Sequence, residues 1–212
     1  MKTVIFDFDG TLADSFTMCL EIAYELTDNK SLTDQDKVEE LKKGSLADVA
    51  KELGVAKHRW PLLIVRGRKI MSGKLDELNA FSGIEKALTD LKKDGFKLYI
   101  MSTNSEDNIS SFLKRHNLNG YIEEIYGGVG LLGKAGKLKR IIKQNKLRAK
   151  DVIYVGDEVR DIEAAKKAGI GVVAVGWGFN DVNRLAEDNP DALVYKRTDL
   201  AGAIKSIGDQ AA

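Results

Sequence analysis

The chain has 212 residues, 43% of them hydrophobic, and its 33 lysines and arginines against 32 aspartates and glutamates leave a net charge of +1. A chain of this size buries about 70% of its unfolded surface, which excludes disorder, and a single cysteine, Cys19, excludes a disulfide scaffold and suits a reducing cytoplasm. The charge balance gives no field for nucleic acid, residues 168–179 form a weakly polar run shorter than the roughly 20 residues of a membrane helix, and Asp7 stands where a secretory signal keeps its apolar stretch.

Short apolar runs ending in Gly, Asp or Ser predict buried strands at Thr3–Phe8, Lys97–Met101, Tyr121–Tyr126, Val152–Val155 and Gly171–Val175, with a sixth at Ala192–Tyr195. Helical patterns separate them: Ile84–Lys93 places Ile84, Leu88 and Leu91 on one face before Gly95, and Asn108–His116, Leu138–Asn145 and Leu200–Ile207 read likewise. This alternation predicts an α/β fold, a doubly wound parallel (Rossmann-like) sheet. From Ser15 to Phe81 no strand pattern appears, and Phe16–Thr27, Lys37–Lys43, Leu46–Leu53 and Leu62–Met71 all read as helices. The expected organisation is an α/β core of residues 1–14 and 82–212 with an inserted all-α domain of residues 15–81, hinged at Asp14-Ser15 and Phe81-Ser82-Gly83.

In an open parallel sheet ligands bind beyond the carboxyl ends of the strands. The residues there are Asp7-Phe8-Asp9-Gly10-Thr11 after the first strand, Ser102-Thr103-Asn104 after the second, Lys134 after the third, and Gly156-Asp157-Glu158-Val159-Arg160-Asp161 after the fourth. Asp7 and Asp157 offer the hard oxygen ligands that Mg2+ prefers. Asp7 also suits a nucleophile at phosphorus, provided that a metal and Lys134 neutralise the repulsion between carboxylate and phosphate. Asp9 points to the same side of an extended chain as Asp7, in position to protonate a leaving oxygen and then deprotonate water. Gly10 lets the backbone turn its N–H groups toward a phosphate, Ser102 or Thr103 supplies a hydroxyl to it, and Asp161, four residues after Asp157, orients Asp157 or a metal-bound water.

At these residues the chain resembles the phosphatase branch of the haloacid dehalogenase superfamily. DFDGTLADS is similar to that family's first motif, Ser102 to its second, Lys134 to its third and GDEVRD to its fourth, and the likeness extends over nearly the whole chain. The resemblance implies a phosphoaspartyl intermediate on Asp7, acid/base work by Asp9, and Mg2+ held by Asp7, the backbone carbonyl of Asp9, and Asp157. It also implies a helical cap that closes over the substrate, as in the phosphoglycolate phosphatase and beta-phosphoglucomutase relatives. The third motif usually continues with proline; here Ala135 follows Lys134, and Lys137 competes for the role.

The expected partner is a small phosphate ester, handled in the cytoplasm by a monomer or homodimer, with phosphoglycolate as the family's example. A phosphomutase and a phospho-acceptor signalling module are the alternatives. Lys43, before Gly44-Ser45, is a candidate substrate contact from the inserted domain, and Lys57–Lys74 is a basic stretch suited to a solvated face paired with acids such as Glu21 or to attracting anionic substrates. Residues 128–134, GVGLLGK, match two nucleotide-binding patterns, but Ala135 replaces the metal-binding hydroxyl of one and Asp151 begins the next strand where the other needs an acid at its end.

Overall fold

The computed structural model describes residues 2–28, 35–43, 52, 54–130 and 133–210. Six parallel strands form one sheet: β1 (Thr3–Phe6), β2 (Lys97–Met101), β3 (Glu124–Tyr126), β4 (Val152–Gly156), β5 (Gly171–Val175) and β6 (Ala192–Val194), in the order β3-β2-β1-β4-β5-β6. The order reverses beside β1, whose Phe6 is in register with Ile100 of β2 on one side and Val155 of β4 on the other. That reversal opens a crevice beyond the strand ends.

Side chains alternate across the sheet, as strand geometry requires. Val4, Phe6, Leu98, Ile100, Ile153, Val155, Val173 and Val175 join one core with Leu88, Phe112 and Ile204. Ile5, Tyr99, Met101, Val152, Tyr154, Val172 and Ala174 join the other with Leu138 and Ile162. Those partners come from α4 (Ile84–Lys93), α5 (Glu106–Arg115) and α9 (Leu200–Gln210) on the first face, and from α6 (Lys134–Gln144) and α7 (Val159–Ala168) on the second; α8 (Val182–Glu187) precedes β6. The apolar runs are buried on both faces, the condition that makes their sequences continuously apolar. Helix starts are specified locally: Asn108 N–H donates to Ser105 Oγ at 3.2 Å, and Asn183 N–H donates to Asp181 Oδ1 at 2.9 Å.

Among the boundaries that differ from expectation, three bear on the site. β1 stops at Phe6 because the Phe8 carbonyl accepts the N–H groups of Thr11, Leu12 and Ala13, closing a turn. β3 holds only Glu124–Tyr126, and α6 starts at Lys134, a turn before the apolar periodicity begins.

Between residues 15 and 81 the described residues hold α1 (Phe16–Thr27), α2 (Gln35–Lys43), α3 (Trp60–Gly73) and short 3-10 turns, with no strand. The expected helix at Leu46–Leu53 lies outside the described residues except Glu52. Gly67 of α3 faces Ile22 and Leu26 of α1, where a Cβ would be in ordinary van der Waals contact with both. The chain leaves and re-enters at one place: Asp14 N–H donates to Asn79 O at 2.9 Å, Phe81 N–H to Leu12 O at 3.1 Å, and Ala13 bridges Ala80 antiparallel. Ser15 occupies the N-cap position of α1. Among the described residues no helix is long and apolar enough to cross a membrane.

Candidate active site

Asp7 directly follows β1 and is held from three directions. Its N–H donates to Val155 O at 2.7 Å, its Oδ1 accepts from Phe8 N–H at 2.8 Å, and its Oδ2 lies 2.5 Å from Lys134 Nζ. Lys134, at the first residue of α6, also contacts Asp161 Oδ1, and all three side chains are at most 4% exposed. Burial opposes the charge of Lys134, yet Asp161 and Asp7 hold its ammonium above the ordinary lysine value. Lys137 lies elsewhere, its Nζ 5.1 Å from the centre of the Tyr126 ring. The structure therefore brings Lys134, and not Lys137, to Asp7.

Asp9 is pushed up to about 6 by burial and by the Asp7 charge. Asn104 Nδ2 approaches its two oxygens at 3.2 and 3.4 Å. Ser102, buried at the end of β2, accepts Asn104 N–H on its Oγ at 3.1 Å, while Thr103 is half-buried. Gly10 adopts φ +75°, and a Cβ there would overlap the Asp157 carboxylate and the Phe179 ring. Its N–H donates to Ala13 O at 3.0 Å and is thus engaged within the turn. What Gly10 contributes is the turn itself and space beside Asp157.

Asp157 is fully buried; its Oδ1 accepts from Thr11 Oγ1 and its Oδ2 from Phe179 N–H, both at 2.7 Å. Burial, with the charges of Glu158, Asp7 and Asp161, raises its pKa well above the carboxylate range. Glu158 pairs with Arg160, whose Nε and Nη1 are buried without a partner among the described residues. Burial works against the Glu158 charge, but Arg160 brings its pKa below the ordinary value. Asp161 Oδ2 accepts Glu158 N–H at 3.2 Å, fixing the first turn of α7. Burial raises Asp161 in spite of Lys134.

Asp7, Asp9, Asp157, Glu158 and Asp161 share the crevice with Lys134 and Arg160, and burial raises the pKa of Asp9, Asp157 and Asp161. Oxygens of Asp7, Glu158 and Asp161 lie within 4.8 Å of one another. Oxygen-only donors at that spacing fit a hard divalent cation. Asp157, expected as a ligand, is outside that trio, and its oxygens accept from Thr11 and Phe179.

Glu158, Thr11 and Asn104 are the side chains that sequence reasoning did not assign a role. Glu158 had a signal, an acid between the presumed ligand Asp157 and Asp161, the acid expected to orient it. The reach of Thr11 to Asp157 and of Asn104 to Asp9 spans 146 and 95 residues of chain and is set by the fold alone. Lys43 ends α2 as an exposed side chain, and Gly44-Ser45 lie outside the described residues. In the basic stretch, Lys74 Nζ stands 3.5 Å from Glu21.

The haloacid dehalogenase-like hydrolase family model matches residues 4–175. A phosphoglycolate phosphatase from Synechococcus elongatus is 32% identical over 215 residues, covering 98% of this chain and 99% of the relative. A pyrophosphatase from Listeria monocytogenes is 24% identical, with 97% of each chain covered. Among solved structures, a predicted phosphatase from Clostridium acetobutylicum superposes with a TM-score of 0.79 at 23% identity, over 97% of this chain and 98% of its own. A haloacid dehalogenase-like family protein from Streptococcus pneumoniae gives 0.75 at 22% identity, over 96% and 98%.

Proposed function

The chain belongs to the haloacid dehalogenase-like hydrolase family, and from that premise we propose that it is a Mg2+-dependent phosphatase of small phosphate monoesters, acting through a phosphoaspartyl intermediate on Asp7. The observation that carries this reading is the buried Asp7–Lys134–Asp161 chain at the end of β1, with Asp9 two residues away. A carboxylate next to a buried ammonium can approach an anionic phosphate without facing its full repulsion.

In this mechanism the Asp7 carboxylate attacks phosphorus while Asp9, held near 6, gives its proton to the departing oxygen. Asp9 then removes a proton from the water that cleaves the acyl phosphate and regenerates Asp7. Lys134 and the Ser102 hydroxyl bind phosphoryl oxygens, with Thr103 beside them at the end of β2. Asp7, the Asp9 carbonyl and Asp157 would hold Mg2+, with Asp161 and Glu158 close by to orient the ligands. The cation, when bound, neutralises phosphate charge and polarises the phosphorus centre. Residues 15–81 act as a cap, and paired crossings at 12–14 and 79–81 suit a hinge between it and the core.

Phosphoglycolate is the substrate proposed first, because the 32% identical relative bears that activity in its name and its match runs the whole length of both chains. The test is orthophosphate release from 2-phosphoglycolate, sugar phosphates, nucleotides and pyrophosphate, with Mg2+ or EDTA. Turnover of a few members, lost in EDTA and restored by Mg2+, is expected, with activity falling by at least about 10³-fold in Asp7→Asn. Full activity in Asp7→Asn would overturn the mechanism.

A further inference from the structure

α3 lies against the leaving-group side of the site. Met71 Sδ is 2.9 Å from Asn104 Nδ2, and one turn earlier the Arg68 carbonyl accepts from Asn108 Nδ2 at 3.1 Å. Asn108 Nδ2 also donates to Asn104 Oδ1 at 2.9 Å, and Asn104 Nδ2 reaches the Asp9 carboxylate. A continuous chain of contacts therefore runs from the backbone of α3 to the acid that faces the departing oxygen. Residues three apart share a helix face, so Arg68 lies on the side of α3 that carries Met71 to this chain.

Arg68 has a buried Nε without a hydrogen-bond partner, as Arg160 does, but unlike Lys134 and Arg160 its guanidinium forms no salt bridge among the described residues. Lys134 is engaged by Asp7 and Asp161, and Arg160 by Glu158. Burial lowers the Arg68 pKa, and the charge that opposes this is Asp9. A buried guanidinium N–H with no acceptor is costly, and native structures keep such a group where a ligand supplies the acceptor. The guanidinium fork matches the planar or tetrahedral oxygens of an oxyanion.

We propose that Arg68 is a specificity-determining residue that binds a second anionic group, carried on the leaving group of the substrate. The ligand class is a phosphoryl compound whose departing part bears a carboxylate or a further phosphate within a bond or two of the oxygen that Asp9 protonates. This rests on the phosphatase reading above: Asp9 as general acid places the leaving group between its own carboxylate and Arg68. A neutral alcohol leaves the guanidinium without an acceptor, so discrimination arises from the unpaired donor as much as from the new contact.

The experiment compares kcat/KM for 2-phosphoglycolate, pyrophosphate and ethyl phosphate in the wild type, Arg68→Gln and Arg68→Lys, with a thermal melt of each. The wild type is expected to prefer one of the two anionic-leaving-group substrates over ethyl phosphate. Arg68→Gln should lower that preference about 10–100-fold, mainly through KM, the span of one buried charged hydrogen bond. Arg68→Lys, which keeps the charge and loses the fork, should recover part of it. The substrate whose preference collapses names the anion, carboxylate or phosphate. An unchanged preference in a folded Arg68→Gln overturns the inference, and if that variant does not fold, an unchanged preference in Arg68→Lys does so. A wild type that hydrolyses ethyl phosphate as well as both anionic substrates overturns it too, while leaving the phosphatase reading intact. Release from no phosphate ester at all would remove both.

Discussion

The strand-end crevice and the helices of residues 15–81 face the same space but are held in different ways. β1, β2 and β4 bury nearly every side chain, and the ends of β1 and β4 carry acids fixed by backbone N–H groups and, for Asp7, by Lys134. α1 and α3 bury only Met18, Ile22 and Met71 of their side chains. Leu62 and Val65 of α3 are exposed, and the helix reaches the core through the Met71 and Arg68 contacts to Asn104 and Asn108. A phosphoryl group needs donors that do not move, whereas a leaving group must enter and depart. Dense packing suits the first requirement and a lightly held helix the second.

The sharpest way to break this contrast is to remove the fixed cation. Lys134→Met leaves Asp7 and Asp161 buried without their ammonium, and kcat should fall by about 10²–10³-fold, the cost of one preorganised electrostatic donor. A steady-state assay at saturating Mg2+ checks it. Retention of kcat would mean that the crevice does not hold its charge balance through this lysine. Next in size is a paired stability measurement. Leu88→Ala, in the core beneath the sheet, should cost about 2–5 kcal/mol in urea unfolding. Leu62→Ala, half exposed on α3, should stay within about 0.5 kcal/mol. Equal losses would show that the helical segment is as firmly packed as the core.

The same contrast explains what was legible in the sequence. Strands such as Lys97–Met101 and Gly171–Val175 stood out because burial on both faces makes them continuously apolar. Asp7 and Asp9 were visible as acids at the end of such a run. Phe8 was misassigned to β1 because its apolar side chain continues the strand pattern while its carbonyl begins the turn, and side-chain periodicity carries no record of that. Glu158 was passed over because its meaning depends on Arg160 and on oxygens from β1 and α7. Arg68 was legible only as one charge in a basic stretch. Its distinction is a partly buried guanidinium that forms no salt bridge among the described residues, which depends on how α3 meets α5.

The smallest expected effect concerns the place where α2 meets the core. The Lys42 carbonyl accepts from both Asn180 Nδ2 and Asp181 N–H at 3.0 Å. Asn180 Oδ1 accepts Val159 N–H at 2.9 Å, and the Asn180 N–H donates to the Asp157 carbonyl at 3.3 Å. One side chain thus ties the helical segment to the first turn of α7, beside Asp157 and Glu158. Asn180→Ala removes these two side-chain bonds but leaves the Asp181 bond and the backbone bond to Asp157, so the loss should be near 1 kcal/mol in unfolding. If α2 positions the helical segment over the crevice, KM should rise about 3–10-fold while kcat changes less, because that bond acts on substrate entry and not on the reacting carboxylates. A fall in kcat at constant KM would instead assign Asn180 to the ordering of Asp157, and would move this contact from the lightly packed side of the comparison to the densely packed one.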